Sequence, residues 1–179
     1  MWKRFLKNAN FMILVFFGLI CIAFQTTLLN IPGTGELQPN FTLLFIVYLV
    51  LFRGPVEGAI LTLVFARILE IHSGVPAGII PFMSLCTYFL GRLISKAVLI
   101  PDLYGSIPLV FGLSLFWRMG ITIGTTWKEV QVNWFETIVY YLLPGLIIHT
   151  IIAIPFFLVL KKIDRWTGKG LESASSVME

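Results

Sequence analysis

The sequence predicts an all-α, polytopic membrane protein built as a bundle of six transmembrane helices. Two observations carry this fold class. Hydrophobic residues make up 58% of the 179 and charged residues 12%, against roughly 25% charged in soluble domains, and a soluble fold could not cover that much apolar surface. The charges are also sorted by side. With six spans drawn along the chain, ten of the thirteen basic residues (Lys3, Arg4, Lys7, Arg53, Arg92, Lys96, Lys161, Lys162, Arg165 and Lys169) fall on one face. Lys128 alone falls on the other, and Arg67 and Arg118 lie inside apolar stretches. Basic residues in short loops set the orientation of a membrane protein, so both termini are expected in the cytoplasm.

The six spans form a single domain over residues 1–166, followed by a small, polar tail at 167–179 that is expected to be disordered. The first span, 11–29, has the basic flank and apolar centre of a signal peptide. It runs on without an evident small-residue cleavage site, so it is expected to be retained. It is long enough for a hydrocarbon core of roughly 30 Å. An outer loop, 30–38, carries Pro32, Gly33 and Gly35 as turn residues. Pro39 suits a first helical turn and opens the second span, 39–52, which at about 21 Å is short for a crossing. Arg53-Gly54-Pro55 turns tightly into the third span, 55–72; Ser73 to Pro76 turns into the fourth, 77–94. A cytoplasmic loop, 95–106, leads to the fifth, 107–127, and an outer loop, 128–133, to the sixth, 134–160, with Pro144 and Pro155 as expected kinks. Trp127 and Trp134 bracket the outer surface, Trp166 lies beyond the inner one, and Tyr104, Tyr140 and Tyr141 fit the aromatic belts. No internal repeat is visible, which weighs against many secondary-transporter folds.

The net charge of +4 is expected to meet anionic lipid headgroups rather than nucleic acid. Cys21 and Cys86 sit in apolar stretches as packing residues, and Asn40-Phe41-Thr42 matches a glycosylation sequon by chance. Charge within a span is costly, so Arg67, Glu70, Arg118 and His149 are expected to face the bundle interior, a wet cavity or an interface. Counted along the helices, the four approach a common layer. Arg67 and Glu70 stand i,i+3 on one face, and Glu70 can also accept from Arg118 across the bundle. Such a cluster is either a structural ion pair fixing register or a ligand or partner site. His149 stands without a second His or Cys at ligand spacing, so neither a metal nor a cofactor is expected. No P-loop, paired-carboxylate motif or nucleophile with a base partner is present, so catalysis is not expected. Gly112, Gly120 and Gly124 at helical spacing on the fifth span offer a face that another membrane helix can approach; such glycines also serve internal packing.

Glu70, Gly74 and Gly78 form an acidic-x3-Gly-x3-Gly series across the turn between spans three and four. Together with Leu37-Gln38-Pro39-Asn40-Phe41-Thr42-Leu43-Leu44 and with Gly54 and Gly58, this series resembles MreD, the bacterial rod shape-determining membrane protein family. In that family Pro-Asn or Pro-Asp opens the second helix, matching Pro39 and Asn40. A Gly-rich third helix then ends in an acidic residue followed by Gly at four-residue steps. The resemblance runs from about Leu37 to Ile94. Glu70 stands where the family usually has Asp, Ala66 where it often has Gly, and Arg67 is an addition.

The resemblance implies a noncatalytic inner-membrane component of the cell-elongation machinery. Its partner would be MreC and, through it, MreB filaments, RodA and a penicillin-binding transpeptidase. The family's fold is also similar to the substrate-binding S-components of energy-coupling vitamin transporters, which gives the rival function. S-components dock through a small-x3-small pattern on the first helix, whereas here Gly18 is followed four residues on by Ile22 and Ala23 by Thr27.

Overall fold

The computed structural model describes residues 2–27, 39–98, 104–126 and 142–167, with side chains from Asn10 onward in the first segment. The expected loops at 30–38 and 128–133, Trp127, Trp134, the start of the sixth span and the tail from 168 lie outside the described residues. Among the described residues there are six α-helices: α1 (Trp2–Thr27), α2 (Phe41–Phe52), α3 (Pro55–Ile71), α4 (Ile79–Ala97), α5 (Ile107–Thr126) and α6 (Leu143–Trp166), with a 3₁₀ turn at Tyr104–Ser106 before α5. Among the described residues there is no strand.

The sequence of α2, Phe-Thr-Leu-Leu-Phe-Ile-Val-Tyr-Leu-Val-Leu-Phe, is apolar on every side, and a helix without a polar stripe belongs in the middle of a protein. Thr42 through Val50 are all buried. Each of the other five helices packs on α2, and those five touch one another in the order α1–α3–α4–α5–α6, with α6 returning to α1. The fold is therefore a closed ring of five helices around a short central one. Aromatic rings fill the space between α1, α2, α3 and α6. Phe45 meets Phe156 edge-on at 5.0 Å and Phe65 at 4.8 Å between centroids.

The outer faces of the ring are apolar. Met12, Phe16 and Ile20 on α1, Val56 and Ile60 on α3, Phe82 and Phe89 on α4, and Ile147 and Ile151 on α6 are all exposed, a surface that suits contact with lipid. Among the described residues three helices are long and apolar enough to cross a membrane: α1 over Asn10–Thr27, α5 over Ile107–Thr125, and α6.

Successive helices alternate in direction. At one end, Asn10 of α1 donates to Asp164 of α6 at 3.1 Å, and Tyr88 of α4 donates to the Pro55 carbonyl at 3.0 Å. The start of α1, the α2–α3 turn and the ends of α4 and α6 thus share one end of the bundle. Boundaries differ from the sequence expectation where caps decide them. The first helix begins at Trp2, and its apolar stretch runs over Asn10–Thr27, close to the span expected at 11–29. The fourth starts at Ile79 because Gly78 takes a left-handed conformation, φ 94°, and it continues to Ala97. The sixth runs six residues past Leu160 to Trp166, with Lys162 over the Trp166 ring.

Where α4 crosses α2 and α5, Gly91 lets the helices close. A Cβ there would lie 2.7 Å from Leu113 and 3.0 Å from Val50. Gly91→Val is therefore expected to cost about 1–3 kcal/mol through overpacking. Gly112→Ala, with nothing within 4 Å of the new methyl, is expected to be neutral or to stabilise by up to about 1 kcal/mol through helix propensity. Unfolding of the detergent-solubilised protein measures both.

Candidate functional site: two polar layers at the ends of the central helix

With twelve residues, α2 spans about 18 Å, so both its ends stop within the bundle. The first N–H groups and last C=O groups of any helix lack partners inside it. Side chains from the ring supply partners here.

At the outer end, Asn40 caps α2, its Oδ1 accepting from the Leu43 N–H at 3.1 Å. The Asn40 N–H donates to His149 Nε2 of α6 at 2.5 Å. The Phe41 N–H donates to Gln25 Oε1 of α1 at 2.8 Å. Pro39 and Asn40, singled out in the sequence, are both buried here. Arg118 of α5 reaches α6 beside this cap, and its guanidinium occupies the space left by the missing side chain of Gly145.

At the inner end the carboxylate of Asp164 gathers four helices. It accepts from Asn10 of α1, from the Tyr48 hydroxyl of α2 at 2.5 Å, and from Arg53, the residue that ends α2. Arg53 also donates to Glu57 of α3 at 3.2 Å. Thr167 receives the second donor bond of Asn10, and Arg92 of α4 covers the Val50 carbonyl at 2.9 Å. Arg53 and Asp164 are both buried. Sequence reasoning missed this network because it placed Arg53 in a surface turn and Asp164 past the end of the last span. A lone acid within the basic run Lys161-Lys162-Ile163-Asp164-Arg165 was the available signal.

The four residues expected to share one layer separate into two pairs. Arg118 and His149 come together on α6. Arg67 and Glu70 pair with each other on α3, but the Arg67 side chain is 56% exposed, so it points outward rather than into the bundle. Glu70 is buried and also accepts the Gly78 N–H across the turn. Among the described residues no ion pair joins Glu70 to Arg118. The Glu70–Gly74–Gly78 series thus has a local physical role. The carboxylate locks the α3–α4 turn, Gly78 supplies the left-handed residue, and Gly74 stands in open space.

The three glycines of α5 also divide. A Cβ on Gly120 would collide with Met83, and one on Gly124 would press on Ile79 at 3.1 Å. Both therefore serve packing of α5 on α4. Gly112 is open. It lines an apolar groove of about 240 Å³ with Ile94, Val98, Pro108 and Leu109. Ser84 accepts from Trp117 Nε1 at 3.2 Å and Ser73 donates to the Glu70 carbonyl at 3.1 Å, so both hydroxyls are engaged structurally. Among the described residues no three His, Cys, Asp or Glu side chains are grouped to hold a metal.

Comparison with known proteins gives no match: no family model fits the chain, and no curated protein or solved structure is similar to it.

Breaking a buried ion pair by removing one partner leaves an uncompensated charge. Asp164→Asn and Arg53→Met are each expected to lower stability by about 3–5 kcal/mol, with the double change recovering part of the loss. In the outer half, Glu70→Gln and Arg67→Leu should couple in a double-mutant cycle. Glu70→Gln and Arg118→Leu should add.

Proposed function

We propose that this chain is an MreD-type protein. It would be a noncatalytic, six-span component of the bacterial inner membrane, with both termini in the cytoplasm, that holds MreC. Through MreC it would couple MreB filaments to peptidoglycan synthesis by RodA and a penicillin-binding transpeptidase. The observation that carries this reading is the order and spacing of Pro39-Asn40, Gly54, Gly58 and the Glu70–Gly74–Gly78 series. Two parts of that pattern have distinct physical work: Asn40 caps the central helix and Glu70 secures the α3–α4 turn. The rival reading, a vitamin-binding S-component, draws on one feature, the polar layer of buried Asn40 and His149 with half-buried Arg118 at the N-terminal end of α2.

A protein that acts by holding a partner helix needs an apolar, close-approach surface. Gly120 and Gly124 are occupied by contacts with α4, so the groove around Gly112 is the better candidate for MreC. Gly112→Leu fills that groove without touching the bundle interior. Recovery of MreC with the mutant in mild detergent is expected to fall severalfold while the mutant stays folded. Unchanged recovery excludes this groove, and copurification of an energy-coupling transporter subunit in place of MreC favours the rival. Depletion of the protein is expected to round the cells, and normal rods would count against the assignment.

Topology is checked separately. Gly54 is exposed, with open space around it, so Gly54→Cys should fold. Its thiol is expected to be protected in intact cells and labelled after permeabilisation. Labelling from outside would invert or break the six-span arrangement.

A further inference from the structure

The outward face of α6 changes chemistry at one depth. Ile147, Ile151, Pro155 and Leu158 are exposed and apolar, and Lys162, Arg165 and Trp166 continue the same stripe at helical spacing, all three exposed. Trp166 is 76% exposed at the edge of the apolar stretch, where tryptophan anchors a helix at the membrane interface. The Lys162 ammonium stands 5.2 Å over its ring. Among the described residues neither Lys162 nor Arg165 pairs with a carboxylate, because the neighbouring acid, Asp164, is buried and engaged by Arg53.

α1 places a second set of cations beside the first. Asn10 bonds to Asp164 and Thr167, so this point of α1 is level with the end of α6. From there α1 extends outward through Lys7, Arg4 and Lys3, about one to two turns beyond the contact. On the other side of Asn10, Met12 and Phe16 are exposed and apolar. Both helices therefore pass from apolar to cationic within about one turn of the Asn10–Asp164 contact.

Two general effects leave this arrangement unexplained. Cations near the C-terminus of α6 complement its dipole, but Lys3 and Arg4 stand in the first turn of α1, where positive charge opposes the dipole and no acidic residue offsets it. Basic residues near the spans also set orientation, yet orientation does not require them to converge on one seam. Arg53 and Arg92, at the same end, turn inward to Asp164 and the Val50 carbonyl. On α4 the exposed cation is Lys96.

We propose that the α1–α6 seam at this end of the bundle is a recognition surface for anionic phospholipids. Lys162 and Arg165 meet the phosphate, Trp166 holds Lys162 at headgroup height, and the apolar stripe of α6 runs along the acyl chain. A membrane lipid fits better than an acidic protein because the cationic patch continues a lipid-facing stripe without a break, and each Lys or Arg at such a boundary adds to the attraction of an anionic leaflet. The surface does not depend on the partner-holding role.

The test is thermal unfolding of the purified full chain in neutral detergent, with phosphatidylglycerol or phosphatidylcholine added to the micelles and, in a third arm, polyglutamate. Binding to the native state alone raises the midpoint. The expected result is a saturable rise with phosphatidylglycerol of about 3–6 °C at roughly ten times half-saturation, beyond the phosphatidylcholine curve and shrinking as sodium chloride is added. Lys162→Gln and Arg165→Gln alter exposed side chains, so both should fold. Each should raise the half-saturating phosphatidylglycerol about fivefold, and the double change about twenty-five-fold. Arg165→Lys keeps the charge and should keep the wild-type curve. Lys96→Gln lowers the net charge equally and should keep it too. No advantage of phosphatidylglycerol over phosphatidylcholine, an unmoved half-saturation in the double variant, or an equal shift from Lys96→Gln overturns the proposal. So does a rise with polyglutamate in place of phosphatidylglycerol, which assigns the face to an acidic protein.

Discussion

The structure depends on one mismatch of length: a fully apolar helix of twelve residues stands at the centre of a ring whose helices run from seventeen to twenty-six. Apolar burial alone would hold α2 anywhere along the axis of that ring, because its sides are uniform and the surrounding surface is equally apolar. Its ends are what fix it. Backbone groups that terminate inside a low-dielectric bundle must find partners, and the ring can offer them only at certain depths. Gln25, Asn40 and His149 set the outer stop. Arg92 and the Arg53–Asp164–Tyr48 cluster set the inner one. Polar residues that look misplaced in so apolar a sequence are the devices that give the central helix a unique height.

The same devices close the ring. The α6–α1 contact is where a ring of five must join its last member to its first, and the apolar surfaces there are helped by the bonds of Asn10 to Asp164 and Thr167. A buried ion pair is weak evidence for net stability, since desolvation opposes the Coulomb gain. Its value here is geometric. Arg53 and Asp164 are 111 positions apart, and a slip of α6 by one turn would leave a buried carboxylate facing apolar side chains. The registers of α1, α2 and α6 are thereby coupled to one another through a single acidic group.

Much of the fold was legible in the sequence because it follows from lengths and apolar runs. The all-helical class, the brevity of α2, and the turns at Gly54 and at Ser73 to Gly78 were readable from composition, Gly and Pro. The candidate site was legible in its members and not in its partnerships. Arg67, Glu70, Arg118 and His149 stand out as charges in apolar surroundings, but depth along a helix does not report which way a side chain turns. Arg67 turns outward at the flank of α3, where it still reaches Glu70. Arg53 and Asp164 were hidden for a related reason. Read by hydropathy, a charge at the edge of an apolar stretch belongs to a loop or tail, whereas α6 here runs past the stretch and carries Asp164 in under the end of α2. Gly120 and Gly124 show the limit of spacing arguments in a membrane protein, where the same small residue fits an internal helix or an external one.

The two polar layers are satisfied to different extents. At the inner layer the Asp164 carboxylate is met by three donors, and Glu57 takes a further bond from Arg53. At the outer layer His149 Nδ1 and Ser114 Oγ are buried and make no hydrogen bond. A structural cap for α2 needs only His149 Nε2, and any neutral acceptor would serve that end. The Arg118 guanidinium, lying where Gly145 omits a side chain, fills the α5–α6 interface beside that cap.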